Sequence, residues 1–77
     1  MITTETIGVG TEENFKVLEH LLSAERIDYS VHHADEEYDP TPWNALVRAH
    51  PGRIDRVLRA LDSRRIYYET TAWLPTT

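Results

Sequence analysis

Residues 41–61, TPWNALVRAHPGRIDRVLRAL, decide the fold of this 77-residue chain. In their first part Trp43, Leu46, Val47 and His50 recur at i, i+3, i+4 and i+7, the spacing of one helical face. Thr41 is a competent N-cap, and Pro42 suits a first helical turn, where its missing N–H is not needed. Further on, Ile54, Val57, Leu58 and Leu61 repeat the spacing and predict a second helix. Between the two, Pro51 disfavours the α conformation at His50, and Gly52 permits a tight turn. The stretch therefore predicts an αα-hairpin, two short amphipathic helices joined too closely to separate, onto which the remainder folds.

Upstream, Ile2 to Val9 mixes Thr and Ile in a β-favouring pattern that Gly8 and Gly10 close. Thr11 then reads as an N-cap, with Glu12 and Glu13 in a first turn where the helix dipole favours negative charge. From Glu12 to Glu25 a wide apolar arc of Phe15, Val17, Leu18, Leu21, Leu22 and Ala24 predicts a helix that packs on a sheet. Ile27 to His33 alternates and predicts a strand, and ADEEYDP at 34–40 predicts a solvated acidic loop. Downstream, Ile66 to Leu74 is rich in β-formers, with Ile66, Tyr68, Thr70, Ala72 and Leu74 on one face and Tyr67, Glu69, Thr71 and Trp73 on the other. Pro75 ends it.

The predicted order is β-α-β-α-α-β, one α+β domain over residues 1–77 with helices covering one face of a small sheet. An alternative makes Trp43 to Ala49 extended and paired with Ile27 to Ala34 across the acidic loop, which gives the ferredoxin-like βαββαβ order. Ala, Leu and Arg behind a Thr-Pro start favour the helix.

A domain this small buries about 60% of its unfolded surface, so its core is thin or shared with a partner. With no cysteine, neither a disulfide nor a thiolate metal site supplements it. No apolar run approaches a membrane span, and MITTETIGVG lacks the regions of a signal peptide, so a cytoplasmic protein without membrane contact is expected. The net charge of -5 divides unevenly along the chain. Ten acids face Lys16 and Arg26 as far as Pro42, whereas three acids face six arginines beyond it. The polarity is met internally, by self-association, or by an outside partner.

Three constellations stand out. Arg53, Arg56 and Arg59, extended by Arg64, lie on the polar side of the last helix, a pattern suited to phosphate or carboxylate. The same residues also read as a solvated face on which Asp55 pairs with Arg59. If the hairpin served as a winged helix-turn-helix, these arginines would meet nucleic acid; only the element order carries that likeness. His32 and His33 with Asp35, Glu36, Glu37 and Asp39 hold metal-ligand chemistry, but adjacent strand residues face opposite ways, so no metal or other cofactor site is expected. Tyr67 and Trp73 lie on the sheet face that helices leave open, near His32 if the two strands pair, and suit a protein interface or a homodimer.

No phosphate loop, nucleophile elbow or metalloprotease helix occurs, so no enzyme activity is expected. The expected function is non-enzymatic binding of a protein or ribonucleoprotein by surface occlusion. The chain is similar in type to short, acidic, cysteine-poor inhibitors of phages and mobile elements, such as anti-CRISPR proteins, with no motif in common. In that reading Asp35, Glu36, Glu37 and Asp39 imitate nucleic-acid phosphates, or the arginine face docks on an acidic partner. A small DNA-binding regulator using the Arg53 to Arg65 region is the alternative, and a dimeric ferredoxin-like small-molecule binder is a third.

Overall fold

Four strands and two helices alternate along the chain as β1 (Thr3–Val9), α1 (Glu12–Ala24), β2 (Asp28–His33), β3 (Trp43–Ala49), α2 (Pro51–Ser63) and β4 (Tyr68–Trp73). The computed structural model describes residues 1–35 and 37–73, with Trp73 described by its backbone alone. The strands form one antiparallel sheet in the order β2-β3-β1-β4. The α+β class and the helix-covered sheet match the sequence expectation. The helical hairpin does not form: α1 and α2 are separated by two strands, and the βαββαβ alternative is the order observed.

Trp43 to Ala49 is extended for physical reasons that its helical spacing conceals. The seven residues also alternate, with Trp43, Ala45, Val47 and Ala49 on one face and Asn44, Leu46 and Arg48 on the other. In so short a window the two periods coexist. A seven-residue helix would leave more than half of its N–H and C=O groups among the orphans at its ends, whereas an inner strand satisfies both sides. β3 is such a strand, hydrogen-bonded to β1 and β2, with Ala45 and Val47 fully buried. Pro51 is the first residue of α2 rather than a break between helices; His50 stays extended at φ -62° and ψ 136° and caps the helix by accepting from Gly52 N.

Ile7, Val9, Ala45 and Val47 of the inner strands meet Phe15, Leu18 and Leu22 of α1 and Ile54, Val57 and Leu61 of α2. Trp43 closes one end of this core, tilted on Phe15 at 5.7 Å. Thr11 caps α1 as expected, accepting from Asn14 N at 3.1 Å. Two helices cannot cover four strands to their edges, so Val31 on the helix side of β2 stays 54% exposed.

The two helices end in matching turns. Both helices end with an arginine in the left-handed region, Arg26 at φ 56° and Arg65 at φ 58°. In each case the next N–H reaches back to the helix, Ile27 to Leu22 O at 2.9 Å and Ile66 to Leu61 O at 3.0 Å, which is the Schellman pattern with its apolar contact. The sequence behind it is Leu-x-x-x-Arg-Ile-x-Tyr, at 22–29 and again at 61–68.

Candidate binding surfaces

Strand direction sorts the charged residues onto two ends of the sheet. Thr3 pairs with Ala49, and Asp28 with Arg48, at the end where α1 finishes and α2 begins. This end carries Arg26, Arg48, Arg53 and Arg56 against Glu25, Asp28 and Asp55. Val9 pairs with Trp43 and Tyr68 at the other end, where α1 begins and α2 finishes. There Glu12, Glu13, Asp35, Glu37, Asp39, Asp62 and Glu69 outnumber Lys16, Arg64 and Arg65 among the described residues. The molecule is therefore charged end against end. The polarity between halves of the sequence does not survive folding, because each half threads through both ends: Arg26 joins the basic end, and Asp62 and Glu69 join the acidic one.

At the basic end an open cleft of about 660 Å³ is lined by Arg26, Asp28, Arg48, His50, Arg53 and Arg56, with Ile2 and Ala49 as apolar wall. Arg56 is tied to Glu25 of α1 at 3.3 Å. Among the described residues the guanidinium groups of Arg26, Arg48 and Arg53 take part in no hydrogen bond or ion pair. The expected arginine face of α2 is thus divided. Arg53 and Arg56 border the cleft, Arg59 is held by Asp55 at 2.9 Å, and Arg64 lies at the far end, donating to Ala60 O at 3.0 Å.

At the acidic end, hydrogen bonds link Asp35, Glu37, Tyr38, Asp39 and Thr41. Asp35 Oδ1 accepts from Glu37 N, its carbonyl accepts from Tyr38 N and Asp39 N, and Asp39 Oδ1 accepts from Thr41 N at 2.9 Å. Buried Thr41 lies against Gly8 on the helix-free face of the sheet; its Oγ1 is 3.3 Å from Asp39 Oδ1 and 3.3 Å from Glu69 Oε2. Tyr67 donates to Glu69 Oε1 at 2.7 Å, which raises its hydroxyl above the ordinary tyrosine range because that bond favours the protonated form. Tyr38 and Tyr67 stand 81% and 65% exposed beside these carboxylates.

No protein-family model and no curated protein matches this chain.

Other expected residues fall as follows. Tyr67 immediately precedes β4 and Trp73 ends it, and β2 and β4 are the two edges of the sheet, so two strands separate His32 from both. His32 and His33 point to opposite faces as predicted, His33 stacking on Trp43 at 4.2 Å. Among the described residues no three His, Asp or Glu side chains are grouped to hold a metal ion, and no helix is long and apolar enough to cross a membrane. Glu36 and the side chain of Trp73 lie outside the described residues. Sequence reasoning missed Arg26, Arg48 and His50 as companions of Arg53. The repeated Leu-x-x-x-Arg-Ile-x-Tyr was the available signal, since two matched helix-to-strand turns imply two βαβ units and set the start of α2 beside the end of α1.

Proposed function

We propose that this protein is a non-enzymatic binding protein that meets a basic protein or ribonucleoprotein surface with its acidic end. The observation that carries this reading is the gathering of Glu12, Glu13, Asp35, Glu37, Asp39 and Glu69, from three separate segments, at the end of the sheet where Tyr38 and Tyr67 are exposed. Tyrosines with few rotatable bonds are efficient interface anchors, and carboxylates around them oppose cationic side chains. The Tyr67, Glu69, Thr41 and Asp39 contacts hold part of the surface in place beforehand, which lowers the ordering cost of association. Carboxylates set apart on a turn and a strand imitate phosphates, so the finer proposal is an occluding inhibitor of the phage or mobile-element kind, of the anti-CRISPR type. A DNA-binding regulator built on a helical hairpin draws no support from this element order, because β2 and β3 separate the helices.

The test is cross-linking and affinity capture with the full chain in extracts of the cells that encode it. Glu37→Lys/Tyr38→Ser alters exposed side chains at the acidic end, and Arg48→Ala/Arg53→Ala alters the opposite end. A stoichiometric partner kept by wild type and by the basic-end variant, lost by the acidic-end variant, and released by rising salt supports the reading. A partner held equally by all three, or none at stoichiometric level, refutes it.

A further inference from the structure

We infer that the arginine-lined cleft at the basic end binds a small phosphorylated ligand carrying at least two adjacent phosphates. Four arginines from three separate places line the cleft: Arg26 from the turn after α1, Arg48 from β3, and Arg53 and Arg56 from α2. Arg56 is already neutralised by Glu25, and Asp28 is the one carboxylate in the lining. Arg26, Arg48 and Arg53 are left without partners among the described residues, in a chain whose net charge is -5. Carboxylates are abundant elsewhere on this surface, so an unneutralised cluster of cations is a departure that an external anion resolves.

The chemistry of the lining selects phosphate. Guanidinium groups grip phosphate oxygens in a bidentate fork, and several forks around one cavity match a group with several oxygens and more than one negative charge. The first N–H groups of α2 do not compete for this role. Gly52 N is held by His50 Nδ1 at 3.3 Å, and Arg53 N and Ile54 N by His50 O at 2.9 and 3.3 Å. Because Nδ1 is the acceptor of that cap, a neutral His50 ring carries its proton on Nε2 and adds a donor to the lining. With no acid in its first turn, the positive end of the α2 dipole is also uncompensated. The cleft of about 660 Å³ lies within the ordinary range for small-ligand sites. A compact anion inside it feels this local field, whereas a long polyanion leaving it would run over an acidic molecule and be repelled. A small ligand is therefore favoured over a nucleic-acid strand.

This proposal concerns the end of the sheet opposite to the proposed partner surface, and either can fail alone. Inorganic pyrophosphate is the probe, titrated at low salt without divalent cations and followed by amide and arginine side-chain NMR shifts and by calorimetry. Saturable binding is expected, with the largest shifts at Arg26, Arg48, Gly52 and Arg53. Arg48→Ala and Arg53→Ala should each weaken it about tenfold or more, the scale of one lost charge-assisted contact. Arg59→Ala, on the same helix but paired with Asp55, should leave it unchanged, as should Glu37→Lys/Tyr38→Ser. Circular dichroism of each variant establishes that the fold is intact. Three results would overturn the proposal: no saturation up to about 10 mM, where binding energy falls below that of any useful site; equal weakening by Arg59→Ala; or a short DNA duplex that binds more tightly than pyrophosphate through Arg48 and Arg53.

Discussion

Replacing Gly8 by alanine is expected to destabilise the protein by about 2 kcal/mol, the balance of overpacking, lost hydrogen bonds and reduced chain entropy. A Cβ at this position, on the helix-free face of β1, would stand 2.5 Å from Asn44 Oδ1, 2.9 Å from the Thr41 carbonyl oxygen and 3.0 Å from Thr41 Oγ1. Asn44 cannot swing away without cost, because its Nδ2 donates to Pro42 O at 3.1 Å. The Thr41 carbonyl is backbone, so relief requires the loop to lift and to weaken the Thr41 contacts with Asp39 and Glu69. Overpacking of this kind costs about 1–3 kcal/mol. One or two weakened hydrogen bonds add about 1 kcal/mol each, and the lower entropy of the unfolded alanine chain returns roughly 0.4–1 kcal/mol. For a chain of this length about 1 kcal/mol corresponds to about 6 °C in Tm, so Gly8→Ala should melt about 12 °C below wild type by circular dichroism and calorimetry. Gly52→Ala provides the contrast. It lies in the first turn of α2, where the added Cβ meets His50 Nδ1 at an ordinary 3.5 Å, and it should raise Tm by about 3 °C through helix propensity and chain entropy. A Gly8→Ala protein that melts within about 2 °C of wild type, or above it, would refute the close approach of Thr41 to the sheet.

Leu61→Ala, at a fully buried position that also receives the Ile66 N–H, should cost about 2–5 kcal/mol in urea unfolding, enough to leave the protein largely unfolded if the wild type lies at the low end for its size. Arg65→Gly should raise stability by about 0.5 kcal/mol, because φ 58° is strained for arginine and free for glycine; a drop would mean that the arginine side chain does more than its contacts indicate. Stability should fall in alkali. Tyr29 is raised above the ordinary value of 10.0 by its hydrogen bond to Glu19, Tyr67 by its bond to Glu69, and Tyr68 by burial and then by Asp62. Their hydroxyls thus hold protons more tightly when folded, so the contribution is complete below about pH 10 and is lost as pH rises through the folded values. Denaturation midpoints that stay level above about pH 10, or that fall as steeply in Tyr29→Phe/Tyr68→Phe, would refute this.

Local chemistry made the first helix legible: a Thr11 cap, acids in the first turn and a wide apolar arc sufficed, and Glu12–Ala24 matches the expectation to within a residue. The strand before it was legible from β-favouring Thr and Ile closed by Gly8 and Gly10, and the strand after it by alternation. Trp43 to Ala49 was not, because a helical face and a strand face coexist in seven residues and only long-range pairing with β1 and β2 chooses between them. The same error hid the cleft. With an αα-hairpin in mind, Arg48 and Arg53 belong to two helices joined by a turn; in the observed fold they flank a strand-to-helix junction beside Arg26. Of the acidic residues, Asp35 and Asp39 turned out to organise their own loop, which the spacing of Asp, Tyr and Pro suggests only once a turn is assumed.

The sheet order has a consequence for synthesis on the ribosome. β1, the first strand made, lies between β3 and β4, and β2 pairs with β3 alone. Until Trp43 to Ala49 has emerged, no two strands of the nascent chain can hydrogen-bond to each other, and β1 keeps one bare edge until Tyr68 to Trp73 follows. The growing polypeptide therefore carries one helix and unpaired, aggregation-prone backbone until β3 is available, and an open β1 edge until β4 follows, so formation of the sheet is limited by distant chain closure.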